Sequence, residues 1–113
     1  MNTKIFDQQA MLHRFGENKE ISQNFFQKFV DSLDKYVAEF NLLIVNHDNE
    51  KLIKKLHELR GCSAYCSTLA LYEICGKFEN SLKNNELDDN SKQNYLLQTL
   101  SAIKNLQEYQ VSW

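Results

Sequence analysis

The stretch Asn18–Val45, NKEISQNFFQKFVDSLDKYVAEFNLLIV, decides the fold. Its apolar residues Ile21, Phe25, Phe29, Leu33, Tyr36, Val37, Phe40 and Ile44 recur at spacings of three, four or one, which draws a single stripe along a helix. At about 1.5 Å per residue that helix would be about 40 Å long, the full height of a bundle. A stripe of that length needs other helices to cover it, and the flanking sequence supplies them. Asn46-His47-Asp48-Asn49 reads as a turn, with Asp48 the N-cap of a third helix running from about Asn49 to Tyr65. Ser67 and Thr68 are suited to cap a fourth helix, which carries Leu71, Cys75, Phe78 and Leu82. Residues 84–90 are polar and read as a loop. A last helix from about Asp89 carries Leu96, Leu100, Ile103, Leu106 and Tyr109. Upstream, Asp7 to Phe15 forms a short helix with Asp7 as N-cap and Gly16 at its end. The expectation is an all-α protein, an up-and-down four-helix bundle with a short additional N-terminal helix. Residues 1–113 form one domain, its bundle core at about 18–110.

Composition supports helices over sheets. The chain has no Pro and three Gly, whereas sheet-rich domains need many tight turns built from those residues. At 113 residues there is room for one core and not two. A net charge of −2 argues against nucleic acid as the main partner, because phosphate binding needs a concentrated basic face. The longest apolar stretch, Phe40–Val45, is six residues broken by Asn41, far short of the roughly 20 that span a bilayer. The start, Met1-Asn2-Thr3-Lys4, lacks the apolar segment of a secretory signal. Three cysteines, an odd number, suit a reducing compartment. The cytoplasm is the expected location, with no membrane segment in this chain.

The third helix holds the chemistry. At about 100° per residue, Leu52, Leu56, Leu59, Ser63 and Cys66 gather on one side and face the core. His57 then points to water. Around it lie Ile53 one turn before, Arg60 and Gly61 one turn after, and Ala64 two turns after. Neutral imidazole is a good nitrogen nucleophile near neutral pH. A guanidinium within reach stabilises the equatorial oxygens of a transferring phosphoryl group. Gly61 leaves the approach to the ring clear, and the apolar neighbours form a docking patch that excludes water from a labile phosphoryl group. Lys54 projects near His57, where it would attract an acidic partner face. On its own, an exposed histidine on a helix is more often a plain surface residue.

The segment Leu56-His57-Glu58-Leu59-Arg60-Gly61-Cys62-Ser63-Ala64-Tyr65-Cys66, followed by Leu69, Leu71, Cys75, Phe78 and Glu79, resembles the phosphoacceptor segment of histidine phosphotransfer (HPt) domains. The Gly-Cys-Ser-Ala-Tyr-Cys run is most similar to the C-terminal HPt domains of BarA/GacS-type tripartite hybrid sensor kinases. The resemblance covers roughly residues 7–108. It implies that His57 is the phosphorylated residue, that Arg60 is its basic partner and that Gly61 keeps the approach open. It further implies a bacterial two-component phosphorelay, in which a receiver domain of a hybrid sensor kinase donates and a response-regulator receiver accepts. The carrier itself would have no autokinase activity and no cofactor, with Mg²⁺ held by the partner receiver. A monomer is expected, either free-standing or as the cytoplasmic C-terminal part of an inner-membrane sensor kinase. One departure stands out. Ten residues past the histidine, where members often carry Gly, this chain has Ser67.

Two other readings stay open at this point. One is a helical protein–protein interaction module in which His57 is incidental. The other is a metal-binding bundle using Cys62, Cys66 and a histidine, although His57 and Cys66 point apart and no fourth ligand is evident. His13, His47, Tyr65 and Tyr72 carry no assigned role.

Overall fold

Residues 4–85 and 87–113 are described by the structure, a computed structural model. Five helices follow one another: α1 (Gln8–Arg14), α2 (Lys19–Val45), α3 (Asn49–Tyr65), α4 (Leu69–Lys83) and α5 (Asp89–Gln107). Among the described residues there is no strand. α2 packs against α3 and α5, and α4 packs against the same two, so the four long helices close into an up-and-down ring. The short α1 lies against α2.

Local chemistry sets the helix ends. Asp7, Asn18, Asp48 and Asp88 each accept a hydrogen bond from the backbone N–H three residues on, which satisfies an otherwise orphaned donor. α4 is the exception. Thr68 precedes it but makes no side-chain cap; its hydroxyl donates instead to the Ser63 carbonyl, closing the end of α3. Thr68 still opens α4 through its backbone, whose carbonyl accepts from the Tyr72 N–H, while its side chain, like that of Ser67, is drawn into the bundle (0% and 2% exposed).

At their other ends the first four helices share one device. Gly16, His47, Ser67 and Asn85 all sit in the left-handed region, with φ of 66°, 53°, 56° and 53°. After α3, the Ser67 N–H reaches back to Ala64 and the Thr68 N–H to Ser63; after α2, His47 and Asp48 reach back to Ile44 and Leu43 in the same pattern. Ser67 thus adopts the backbone that a glycine would adopt more cheaply.

The core runs through all four long helices. Leu52, Leu56 and Leu59 of α3 are fully buried, as are Leu33 and Phe40 of α2, Cys75 and Phe78 of α4 and, to 1%, Ile103 of α5. Each large apolar side chain buried in this way contributes roughly 1.5–3 kcal/mol. The stripe on α2 needs a correction. Its inner face is Ser22, Phe26, Phe29, Leu33, Tyr36, Phe40 and Ile44. Ile21 and Phe25 are exposed, at 43% and 48%. Rows 21-25-29 and 22-26-29 are equally helical, and it is Phe26 that meets Phe6, at 4.4 Å between ring centroids.

Phe6 and the C-terminal tail extend the core beyond residues 18–110. Phe6 and Met11 are buried, and Trp113 packs its ring edge on both Phe6 and Phe26. The segment before α1 is held by bonds from Asp7 N–H to the Ser67 carbonyl and from Ala70 N–H to the Lys4 carbonyl. α5 stops at Gln107, so Tyr109 lies beyond it, against the edge of Phe6.

His47 is exposed while holding a left-handed backbone, so relieving it has no packing cost. His47→Gly is expected to raise stability by about 0.5–1 kcal/mol, and His47→Val to lower it. Urea unfolding with an unchanged m-value is the check.

Candidate functional site

His57 sits in the middle of α3, one residue past the buried Leu56, so the register that packs the bundle also turns the imidazole outward; its side chain is 65% exposed. Only one edge of the ring is free. Nδ1 lies 3.1 Å from Oε2 of Glu79, whose side chain is wholly buried. An ionised carboxylate only accepts, so Nδ1 carries the ring proton and donates it. Nε2, on the opposite edge, lies on the exposed side of the ring.

Glu79 is a buried carboxylate met by three nitrogen groups. Lys83 Nζ lies 2.7 Å from the same Oε2, and Arg60 Nε is 3.6 Å from Oε1. Arg60 also brings Nη2 to 3.4 Å from His57 Nδ1. Burial alone pushes the Glu79 carboxyl up, but Lys83, His57 and Arg60 together outweigh it and hold the group below its ordinary value. The result is an ion-paired knot joining α3 to α4, with the outward edge of the imidazole at its rim.

The expected site residues fall into two groups. His57 and Arg60 are brought together as described. Gly61 is exposed, and a Cβ placed on it would meet nothing within 4 Å. Ile53 and Ala64 are half-buried along the same helix. Lys54 is largely exposed and pairs loosely with Glu50 at 3.9 Å.

Two features were not assigned by sequence reading. The first is the role of Glu79. Its signal was present, since position 79 falls between Cys75 and Leu82 in the apolar row of α4, where a charge demands an explanation. The second is an aromatic cluster on the outer surface. Phe15 stacks on Phe25 at 4.9 Å and meets Tyr65 edge-on at 5.4 Å, with the Arg14 guanidinium 5.7 Å from the Tyr65 ring centre. Phe25 was expected in the core; it instead extends an exposed apolar surface from the α3 end that carries Gly61 and Ala64.

The cysteines do not converge. Cys62 is exposed, whereas Cys66 and Cys75 are buried. Burial pushes the Cys66 thiol up to about 11 and the Cys75 thiol up to about 12, so both remain protonated near neutral pH and make poor ligands. Among the described residues no group of three His, Cys, Asp or Glu side chains is placed to hold a metal ion.

The class defined by this geometry is a helical bundle that presents one oriented imidazole on an open wall. The comparisons agree with it. Residues 24–108 match the model of the Hpt domain family. Over 86 residues the chain is 26% identical to the phosphorelay intermediate protein rdeA of Dictyostelium discoideum, covering 76% of this chain and 34% of that protein. It thus spans about a third of the length of that relative. The fold is similar to the HPT domain from an Hpt sensor hybrid histidine kinase of Shewanella, with a TM-score of 0.78 and 17% identity, covering 91% of this chain and 87% of that one. The chain belongs to the Hpt domain family.

Glu79 also leaves a mark on stability. Its carboxyl is depressed in the folded state, so its contribution is complete above the ordinary value of 4.5 and fades as pH falls through the lower, folded value. The difference in unfolding free energy between wild type and Glu79→Gln is therefore expected to be constant from pH 5.5 down to about 4.5 and to shrink below that. Urea titrations across that range would show it, and a difference that grows on acidification would contradict the ion-pair geometry.

Proposed function

We propose that this protein is a phosphocarrier that accepts a phosphoryl group on Nε2 of His57 from a receiver-domain aspartate and passes it to the aspartate of a response regulator. The observation that carries this reading is the oriented imidazole: Nδ1 tied to buried Glu79 at 3.1 Å, with the rest of the ring in solvent.

The chemistry follows from that tie. The Nε2 lone pair attacks phosphorus, the N–P bond forms and the P–O bond to the aspartate breaks, its electron pair leaving on the carboxylate. The ring gains positive charge, which Glu79 stabilises through the Nδ1 proton. In the onward step a second carboxylate attacks phosphorus, the N–P electrons return to Nε2, and neutral imidazole is regenerated. No proton has to move in either direction, so one geometry serves both. Arg60 holds its charge beside the ring, 3.4 Å from Nδ1, where it offsets Glu79 and attracts the phosphoryl oxygens.

Access supports the same reading. The open space over Gly61 admits a partner's active-site edge, while Ile53, Ala64 and the Phe25–Tyr65 surface offer apolar contact and Lys54 a positive rim. Mg²⁺ is expected on the partner receiver. No helix is long and apolar enough to cross a membrane among the described residues, and we expect the module to work as a cytoplasmic monomer in a bacterial two-component system, without autokinase activity.

Incubation with a labelled, phosphorylated receiver domain tests the proposal. Wild type should take acid-labile, base-stable label and His57→Gln none. Arg60→Ala should slow transfer by about 10–100-fold, the worth of one charge-assisted contact, with its thermal midpoint little changed. Gly61→Gln should leave helicity intact and raise KM for the receiver. Equal labelling of wild type and His57→Gln would overturn the assignment.

A further inference from the structure

Gly76 is the eighth of the 15 residues of α4, in the middle of a helix, where glycine is less favourable than any residue except proline. Its backbone does not need glycine, since Gly16 alone among the glycines has a positive φ. What occupies the space over its Cα is Arg60. A Cβ built on Gly76 would stand 3.6 Å from Arg60 Cδ and 3.9 Å from Arg60 Nη1. The two glycines of the bundle wall thus differ: the space over Gly61 is open, and that over Gly76 is filled from within by the stem of the site's own cation.

We propose that Gly76 is a positioning residue for phosphoryl transfer: the lack of any side chain beyond Cβ at this position lets Arg60 lie flat from α3 onto α4. That posture brings Nε to 3.6 Å from Glu79 Oε1 and Nη2 to 3.4 Å from His57 Nδ1. Arg60 is only 29% exposed in consequence, unusually covered for a long cation on a bundle wall. A single methyl group at position 76 makes ordinary van der Waals contact and leaves the posture intact. A longer side chain grows from that Cβ into the volume of the Arg60 stem and lifts the guanidinium off Glu79. The inference rests on the phosphotransfer reading for its kinetic consequence, though not for its geometry.

The test compares Gly76→Ala, Gly76→Leu and Gly76→Gln, each alone and with Arg60→Ala. The first readout is the Arg60 Nε–H resonance in side-chain NMR, which requires no partner. Gly76→Ala should keep the wild-type resonance and raise the thermal midpoint by about 4 °C, since alanine is the better helix former. Gly76→Leu and Gly76→Gln should move the resonance to the position of a free, rapidly exchanging guanidinium while the helix content holds. Two substituents of different polarity are used so that misfolding of either leaves the comparison standing. The second readout is transfer from a phosphorylated receiver. Gly76→Leu and Gly76→Gln should lose kcat by the same factor as Arg60→Ala, about tenfold or more, and lose nothing further when Arg60 is already alanine. An unmoved resonance in both long variants would overturn the proposal. So would a further loss of rate in the Arg60→Ala background, which would mean that position 76 blocks the partner directly. If wild type itself takes no label, the phosphotransfer reading fails, and the resonance comparison still decides whether Gly76 positions Arg60.

Discussion

A carboxylate taken out of water inside a helical bundle has to be answered by positive charge or by a proton. Glu79 is answered by charge, and the arrangement of the site follows from how that is done. Its two oxygens face nitrogens from two helices: His57 and Arg60 from α3, Lys83 from α4 itself. Sliding or rotating either helix would strip away His57 and Arg60 and leave the buried carboxylate with Lys83 alone. The same contact therefore registers α3 against α4, fixes the tautomer of His57 and holds Arg60 beside the ring.

The bundle's hydrophobic face and its functional face are cut from one helix by the helical period. Leu52, Leu56, Leu59 and Ser63 turn inward, which sends residue 57 outward however the outer surface evolves. Packing around α3 is tight, with the core leucines fully buried, so the imidazole is mounted on a rigid element and not on a loop. Mobility is not needed for the chemistry proposed, since both directions of transfer use one ring orientation. The outer wall of α3 carries an imidazole, a cation and an apolar margin, which the proposed reading makes a nucleophile, its phosphoryl-stabilising charge and a docking rim. The space over Gly61 is open, and that over Gly76 is occupied by the protein's own arginine.

The aromatic cluster of Phe15, Phe25 and Tyr65 shows how one ambiguity in a sequence becomes a surface. Phe25 and Phe26 are adjacent and equally apolar, and either completes a helical row with Phe29 and Leu33. The choice was made by a residue far away in the chain. Phe6 enters the end of the bundle and takes Phe26, which leaves Phe25 to stack on Phe15 outside. The ends of the chain acted in the same way: Phe6 and Trp113 have no periodic neighbours to announce them, yet they close the core.

Period, capping and composition were sufficient to read five helices, their limits to within a residue or two, and an outward His57 with Arg60 and Gly61 beside it, because a helix converts sequence spacing directly into direction. Ser67 could be read as a turn residue but not as a left-handed one, since that conformation is imposed by the carbonyls of α3 reaching for the next two N–H groups. The partnership of His57 with Glu79 lay outside what one sequence could specify. The two residues are 22 positions apart on different helices, and nothing in either helix's own period says which face of its neighbour it will meet. The packing of α3 on α4 decided that, and with it which nitrogen of the imidazole is tied to the buried carboxylate.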